Sequence, residues 1–138
     1  MIIQQLSVFL ENKSGRLTDV TESLARANIN ITALSMAETS EYGILRLIVS
    51  DAAAAISRLK EEGFSVGLTD VLCLSCANKP GSLSKALRVL SDADIAVEYL
   101  YAFSMGDSAL SVIRTEKIRD AIAVLNAHGI DLKAATDL

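Results

Sequence analysis

The chain has 138 residues, 51% of them hydrophobic, and a formal charge of −4 from 13 Lys and Arg against 17 Asp and Glu. With no basic cluster it offers little to a phosphate backbone or an anionic membrane surface, and no apolar run approaches the length that spans a bilayer. No nucleic-acid or membrane partner is expected, and without a leader-like segment at the start a cytoplasmic location is the expectation.

Leu6, Val8 and Leu10 alternate and open the chain as a strand, and Leu17, Val20 and Leu24 then recur at helical spacing up to Ala27-Asn28. Ile29 to Met36 alternates again, Thr39-Ser40-Glu41-Tyr42-Gly43 carries turn chemistry, and Leu45, Leu47 and Val49 mark a third strand. Asp51 reads as a helix N-cap ahead of Ala53, Ile56 and Leu59, with Gly63 placed to end that helix and Phe64 to Leu68 as a fourth strand. The order then starts over. Val71 to Cys76 reads as strand, Leu83, Ala86, Leu87 and Leu90 as helix, and Ile95 to Phe103 as strand. Met105-Gly106-Asp107 reads as turn, Leu110 and Val112 as strand, Ile118, Ala121, Ile122 and Leu125 as helix, with Gly129 at its end. The tail Ile130 to Leu138 gives the weakest strand signal.

The repetition is literal at one place. Asn12-Lys13-Ser14-Gly15-Arg16-Leu17 returns as Asn78-Lys79-Pro80-Gly81-Ser82-Leu83, 66 positions on (78 − 12), and Gly63 returns as Gly129 at the same interval. The expected architecture is therefore α+β: two ferredoxin-like β-α-β-β-α-β repeats side by side, residues 1–69 and 70–138, each an antiparallel sheet with both helices on one face. Each hexapeptide sits where a strand turns into a helix. Glycine there lets backbone approach a ligand closely, and the first helical N–H groups lack partners, so the junction suits an anion. Asn12 and Asn78 fit two roles, ligand contact or helix N-cap, and Pro80 suits a first helical turn.

Other residues carry plainer readings. Cys73 and Cys76, three apart on a strand, point to opposite faces and should neither chelate one metal nor form a redox pair. His128 precedes Gly129 and suits a helix C-terminus better than a metal. Tyr99, Tyr101 and Phe103 share one strand face where the first copy has Ala33, Ser35 and Ala37; they read as oligomer contact, core or ligand wall. Glu98 follows Ala96 on the same strand face and reads as a solvated edge carboxylate, with contact to a cationic ligand side chain as the alternative. No metal site and no cofactor are called for.

A loop of the form Asn-x-Pro-Gly-x-Leu after the first strand, with a second strand of Asn28-Ile29-Asn30-Ile31 type in this frame, resembles the ACT domain, and the resemblance covers the whole chain as two tandem copies. ACT domains sense small molecules in amino-acid metabolism and pair side by side with an amino acid at the seam. The resemblance implies ligand-binding residues Asn78, Lys79, Gly81, Ser82 and Leu83 in the second copy and Asn12, Gly15, Arg16 and Leu17 in the first. A further contact comes from the asparagine opening the second strand, which is Asn30 in the first copy but Ala96 in the second. Ser14 stands where the family has proline. One good site, pairing the second loop with Asn30, and one weak or lost site follow from that asymmetry.

The implied function is a non-catalytic regulatory protein that binds a free amino acid between its two halves, acts through a separate metabolic enzyme and forms a homodimer. The alternatives are a small regulatory subunit of an amino-acid biosynthetic enzyme, such as acetolactate synthase, and an enzyme of ferredoxin-like fold. The last lacks a Ser/His/Asp set or a clustered carboxylate pair.

Overall fold

A computed structural model describes residues 1–38 and 41–138. It contains β1 (Ile3–Glu11), α1 (Arg16–Arg26), β2 (Ile31–Glu38), β3 (Tyr42–Val49), α2 (Ala52–Glu61), β4 (Ser65–Ala77), α3 (Ser82–Asp92), β5 (Tyr99–Met105), β6 (Ser108–Arg114), α4 (Ile118–Ala127) and β7 (Asp131–Lys133), with a short 3₁₀ turn at Ala135–Asp137. The chain divides into two compact units, Gln4–Thr69 and Asp70–Leu138 together with Met1–Ile3.

In the first unit the strand order is β2-β3-β1 and then the start of β4, with Ser7 Oγ 3.1 Å from Thr69 Oγ1. Alternation decides which face is buried. Leu6 and Val8 pair across to Leu47 and Leu45, and all four, with Leu10, pack against Val20 and Leu24 of α1 and Ala55 and Leu59 of α2. Burying each leucine contributes about 1.5–3 kcal/mol, which offsets the ordering of a short chain segment. The second unit repeats the plan as β5-β6-β4-β7. Leu72 and Leu74 of β4 and Ile113 of β6 meet Ala86 and Leu90 of α3 and Ala121 and Leu125 of α4.

All four helices end the same way. The residue after the C-cap is left-handed, Asn28 (φ 58), Gly63 (φ 86), Asp94 (φ 58) and Gly129 (φ 70), and the next amide reaches back to the helix: Ile29 to Leu24 O, Phe64 to Leu59 O, Ile95 to Leu90 O and Ile130 to Leu125 O. This is the Schellman closure, with its apolar follower plugged against the core. It also corrects four strand starts. Ile29, Phe64, Ile95 and Ile130 spend their amides on the helix ends, so β2, β4, β5 and β7 begin later, at Ile31, Ser65, Tyr99 and Asp131, and the strand expected from Ile130 to Leu138 already ends at Lys133. Ala96 and Glu98 consequently precede β5 instead of lying on it.

Two further boundaries differ from the sequence reading. The strands expected at Phe64 to Leu68 and Val71 to Cys76 are one strand, β4, since neither Thr69 nor Asp70 breaks an extended chain. Tyr42 and Gly43, expected in a turn, already pair with Glu11 and Leu10 in β3; the Thr39-Ser40 part of that turn lies outside the described residues. Of the strand glycines Gly43 and Gly67, only at Gly43 would an added Cβ meet a neighbour, the flexible Met36 Cε at 2.5 Å, which would have to shift. Asp51 does cap α2, accepting from the Ala54 amide at 3.0 Å.

Candidate functional site

Both strand-to-helix loops are built to one plan. At the second, the Ser82 amide donates to Lys79 O (3.3 Å) across Pro80 and Gly81, and Gly81 has φ 88 and ψ −14. A positive φ at the third position of a hydrogen-bonded turn is the type II geometry, which proline before glycine favours. Lys85 then donates to Gly81 O (3.1 Å) and the helix is under way. At the first, Arg16 donates to Lys13 O (3.4 Å), Gly15 has φ 89 and ψ −11, and Asp19 donates to Gly15 O (2.9 Å). The N-cap is thus the glycine in each case, and neither helix has a side-chain cap. Asn12 and Asn78 are not caps; they stand three residues earlier, on the exposed rim of the loop.

The asparagine backbones are nonetheless fixed. Asn12 N–H donates to Glu41 O (3.4 Å) and Asn78 N–H to Asp107 O (3.2 Å), so each loop leans on the hairpin turn beside it. Asp107 belongs to a two-residue turn opened by Gly106 at φ 62. Of the implied ligand residues, Asn78, Lys79, Gly81, Asn12 and Gly15 are exposed, and Ser82 is half-buried. Leu83 packs partly against the second core, whereas Leu17 remains 39% exposed.

What differs between the loops is charge. Around the first, Glu11 pairs with Lys13 (2.8 Å) and Asp19 with Arg16 (3.3 Å), and the Lys13 hydrogen bond holds the Glu11 carboxyl below its ordinary pKa. Arg16 also stacks on the Phe64 ring at 4.7 Å. In the second unit the equivalents of Glu11, Arg16 and Asp19 are Ala77, Ser82 and Lys85. The second loop therefore carries two lysines, Lys79 and Lys85, neither of them in an ion pair among the described residues, while the first is internally neutralised. Each loop has one acidic residue at the facing turn, Glu41 or Asp107, so that contribution is common to both. The Asp19-to-Lys85 exchange was visible in the sequence once the copies are laid 66 apart, yet composition and motif alone pass over it.

Asn30 is exposed, and its backbone is tied in both directions to Ser50: its N–H donates to Ser50 Oγ and the Ser50 amide to its carbonyl, both at 2.9 Å. In the second unit Ala96 and Glu116 take these places and line a cleft of about 280 Å³ with Asp94, Glu98, Thr115 and Lys117. Glu98 is ion-paired to Arg114 at 3.4 Å, not merely solvated. Lys117 spans the cleft, its Nζ 3.2 Å from Asp94 O.

The remaining singled-out residues fall as follows. Cys76 lies on the helix side of β4 and Cys73 on the other; burial pushes the Cys73 thiol up to about 11. His128 is the C-cap of α4, its Nδ1 2.9 Å from Val124 O. Leu100 packs into the helix-side core, so Tyr99, Tyr101 and Phe103, which alternate with it, lie on the helix-free face, half-buried beside Val112 and Leu110. That excludes the helix-side core for the aromatic stripe. No helix is long and apolar enough to cross a membrane, and among the described residues no group of three His, Cys, Asp or Glu is placed to hold a metal.

Comparison with known proteins places this geometry. A crystal structure of a protein from Bacteroides thetaiotaomicron is similar at 50% identity and a TM-score of 0.96, over 99% of this chain and 95% of that one. In fold alone, the chain also resembles the regulatory subunits of aspartate kinase from Thermus thermophilus (14% identity, TM-score 0.68) and Thermus flavus (15%, 0.63), each over 90% of both chains. No curated protein matches. A family model described as an ACT domain pair matches residues 1–138, and the chain belongs to that family, with two ferredoxin-like units of β-α-β-β-α-β order.

Proposed function

We propose that this chain is a non-catalytic regulatory protein that binds a free amino acid at the second strand-to-helix loop. The observation that carries the reading is the charge of that loop. Lys79 precedes and Lys85 follows a helix start whose first amides have no intrahelical partner, so a carboxylate there meets both a positive field and aligned donors. Asn78, exposed and not used as a cap, supplies an amide able to accept from the ligand's ammonium group and donate to its carboxylate. Gly81 contributes its backbone N–H group, Ser82 its side-chain hydroxyl and Leu83 the apolar side.

The first loop, Asn12 to Leu17, is the weaker receiver in this account. Its cations already hold carboxylates at 2.8 and 3.3 Å, and a ligand must compete with them. The output is a population shift: ligand stabilises one oligomeric or partner-bound state over another and so acts on a separate enzyme of amino-acid metabolism. A regulatory reading also suits the titratable groups, since His128 is engaged at a helix end and Cys73 is held neutral.

The test is thermal unfolding of the full chain against each of the twenty amino acids at millimolar concentration, with Asn78→Ala alongside. A ligand at a hundred times its dissociation constant adds about 2.7 kcal/mol, several degrees for a chain of this size. A shift with one or a few amino acids that vanishes in Asn78→Ala is the expected result. No shift with any of them contradicts free-amino-acid sensing.

A further inference from the structure

Helix α4 is built unlike its counterpart in the first unit. The second half of α2 carries Arg58, Lys60 and Glu61, with Arg58 paired to Glu62. At the matching places, 66 positions on, α4 has Val124, Asn126 and Ala127, and its charges, Arg119 and Asp120, both stand in the first turn. A surface helix ordinarily turns a charged or polar face to water, yet Ala123 and Ala127 lie exposed on this one.

Beside that stretch lies a groove of about 440 Å³, lined by Met1, Ile2, Ile122, Ala123 and Arg119, all residues of the second unit. Arg119, Ile122 and Ala123 are spaced three and four apart and so form one stripe of the helix. Ile2 and Ile122 rest partly on the core beneath, while Met1 is 56% exposed. The lining is thus apolar except for a single cation. Arg119 is exposed and forms no ion pair among the described residues. Its acidic neighbours Glu116 and Asp120 line a separate depression with it and not this groove. In α2 the equivalents of Arg119 and Ala123 are Ala53 and Ser57, so neither the charge nor the apolar stripe is a property of the repeat.

We propose that this groove binds a small amphiphilic carboxylate, an aliphatic acid whose apolar body lies along Met1, Ile2, Ile122 and Ala123 while its carboxylate meets the Arg119 guanidinium. Small-molecule sites are concavities of a few hundred Å³ with mostly apolar walls and a few polar groups that fix the ligand's orientation. A guanidinium offers parallel donors that match the two oxygens of a carboxylate, so the charged end sets the direction and the apolar walls hold the rest. The ammonium of a free amino acid would instead be set against an apolar wall. None of Asn78, Lys79, Gly81, Ser82 or Leu83 lines the groove, so it is a second input, separate from the strand-to-helix loop.

The experiment is NMR of the full chain labelled at its methionine ε-methyl groups, titrated with hexanoate and, as the neutral control, with hexanol. The chain has three methionines, Met1, Met36 and Met105, assigned through Met36→Leu and Met105→Leu. Hexanoate is expected to move the Met1 methyl to saturation and leave the other two in place, with hexanol binding about tenfold more weakly. Arg119→Gln should weaken hexanoate by about the same factor and leave hexanol unchanged. Ala123→Trp, which fills the groove from an exposed position, should abolish both shifts, and Asn78→Ala should alter neither. A cooperative thermal transition checks that each variant is folded. Hexanol binding as tightly as hexanoate, Arg119→Gln binding hexanoate as tightly as the parent, or equal shifts at all three methyls overturns the proposal. A Met1 methyl that hexanoate does not move overturns it too, and leaves the groove to a macromolecular partner.

Discussion

Gly15 and Gly81 hold the loops open at φ 89 and 88, in space where an added Cβ would touch nothing. Any cost of replacing them is therefore torsional. Gly81→Ala and Gly15→Ala should each lose about 1–2 kcal/mol, the price of a left-handed non-glycine residue, and lose it equally, as thermal unfolding would show. Unequal losses would mean that the loops are not the same device. Cys73 makes a second residue-scale case. With its thiol raised from 9.0 to about 11, both folded and unfolded chains keep it neutral below pH 9. Between pH 9 and 11 the unfolded chain ionises first, so stability falls as pH rises through that window. Urea unfolding at pH 8 and pH 10 should show a smaller drop for Cys73→Val than for the parent. At this scale the sequence disclosed residue types and spacing: the opposed faces of Cys73 and Cys76 and the place of His128 follow from period alone. It could not disclose that Asn12 and Asn78 are not caps, because asparagine and glycine both suit an N-cap and only the backbone angles separate them.

Helices and strands were legible because each carries one clean period and all four helices end on a left-handed residue. What was not legible is how far a strand extends once its flanks are ambiguous. Ile29, Phe64 and Ile95 look like strand starts by hydrophobicity, yet a Schellman closure claims their amides; Thr69 and Asp70 look like a break, yet nothing there forbids extension. The helix starts also differ in a way that can be measured. Asp51 caps α2, while Lys117, at the equivalent place before α4, provides no side-chain cap. Asp51→Ala should cost about 1 kcal/mol and Lys117→Ala clearly less, by the same unfolding assay. Equal losses would show that the Asp51 hydrogen bond contributes nothing net.

Across the whole molecule, one module is written twice and then differentiated. The frame is kept to the residue: Asn12 and Asn78, Glu41 and Asp107, and Asn28 and Asp94 each hold matching backbone roles 66 apart. Charge and exposure are what diverge. The first unit pairs its loop charges and leaves Leu34 and Met36 uncovered at an edge; the second leaves its loop lysines without such carboxylates and tucks Leu100 away. The family was legible in two hexapeptides and a repeat interval, but this division of labour needed the copies compared position by position in space.

The most direct test of the account is calorimetric titration of the stabilising amino acid into the parent, Asn78→Ala and Asn12→Ala. One tight ligand per chain, abolished by Asn78→Ala and retained within a few-fold by Asn12→Ala, is the predicted result. Two equivalent ligands per chain, or binding that survives Asn78→Ala and is lost with Asn12→Ala, would contradict it.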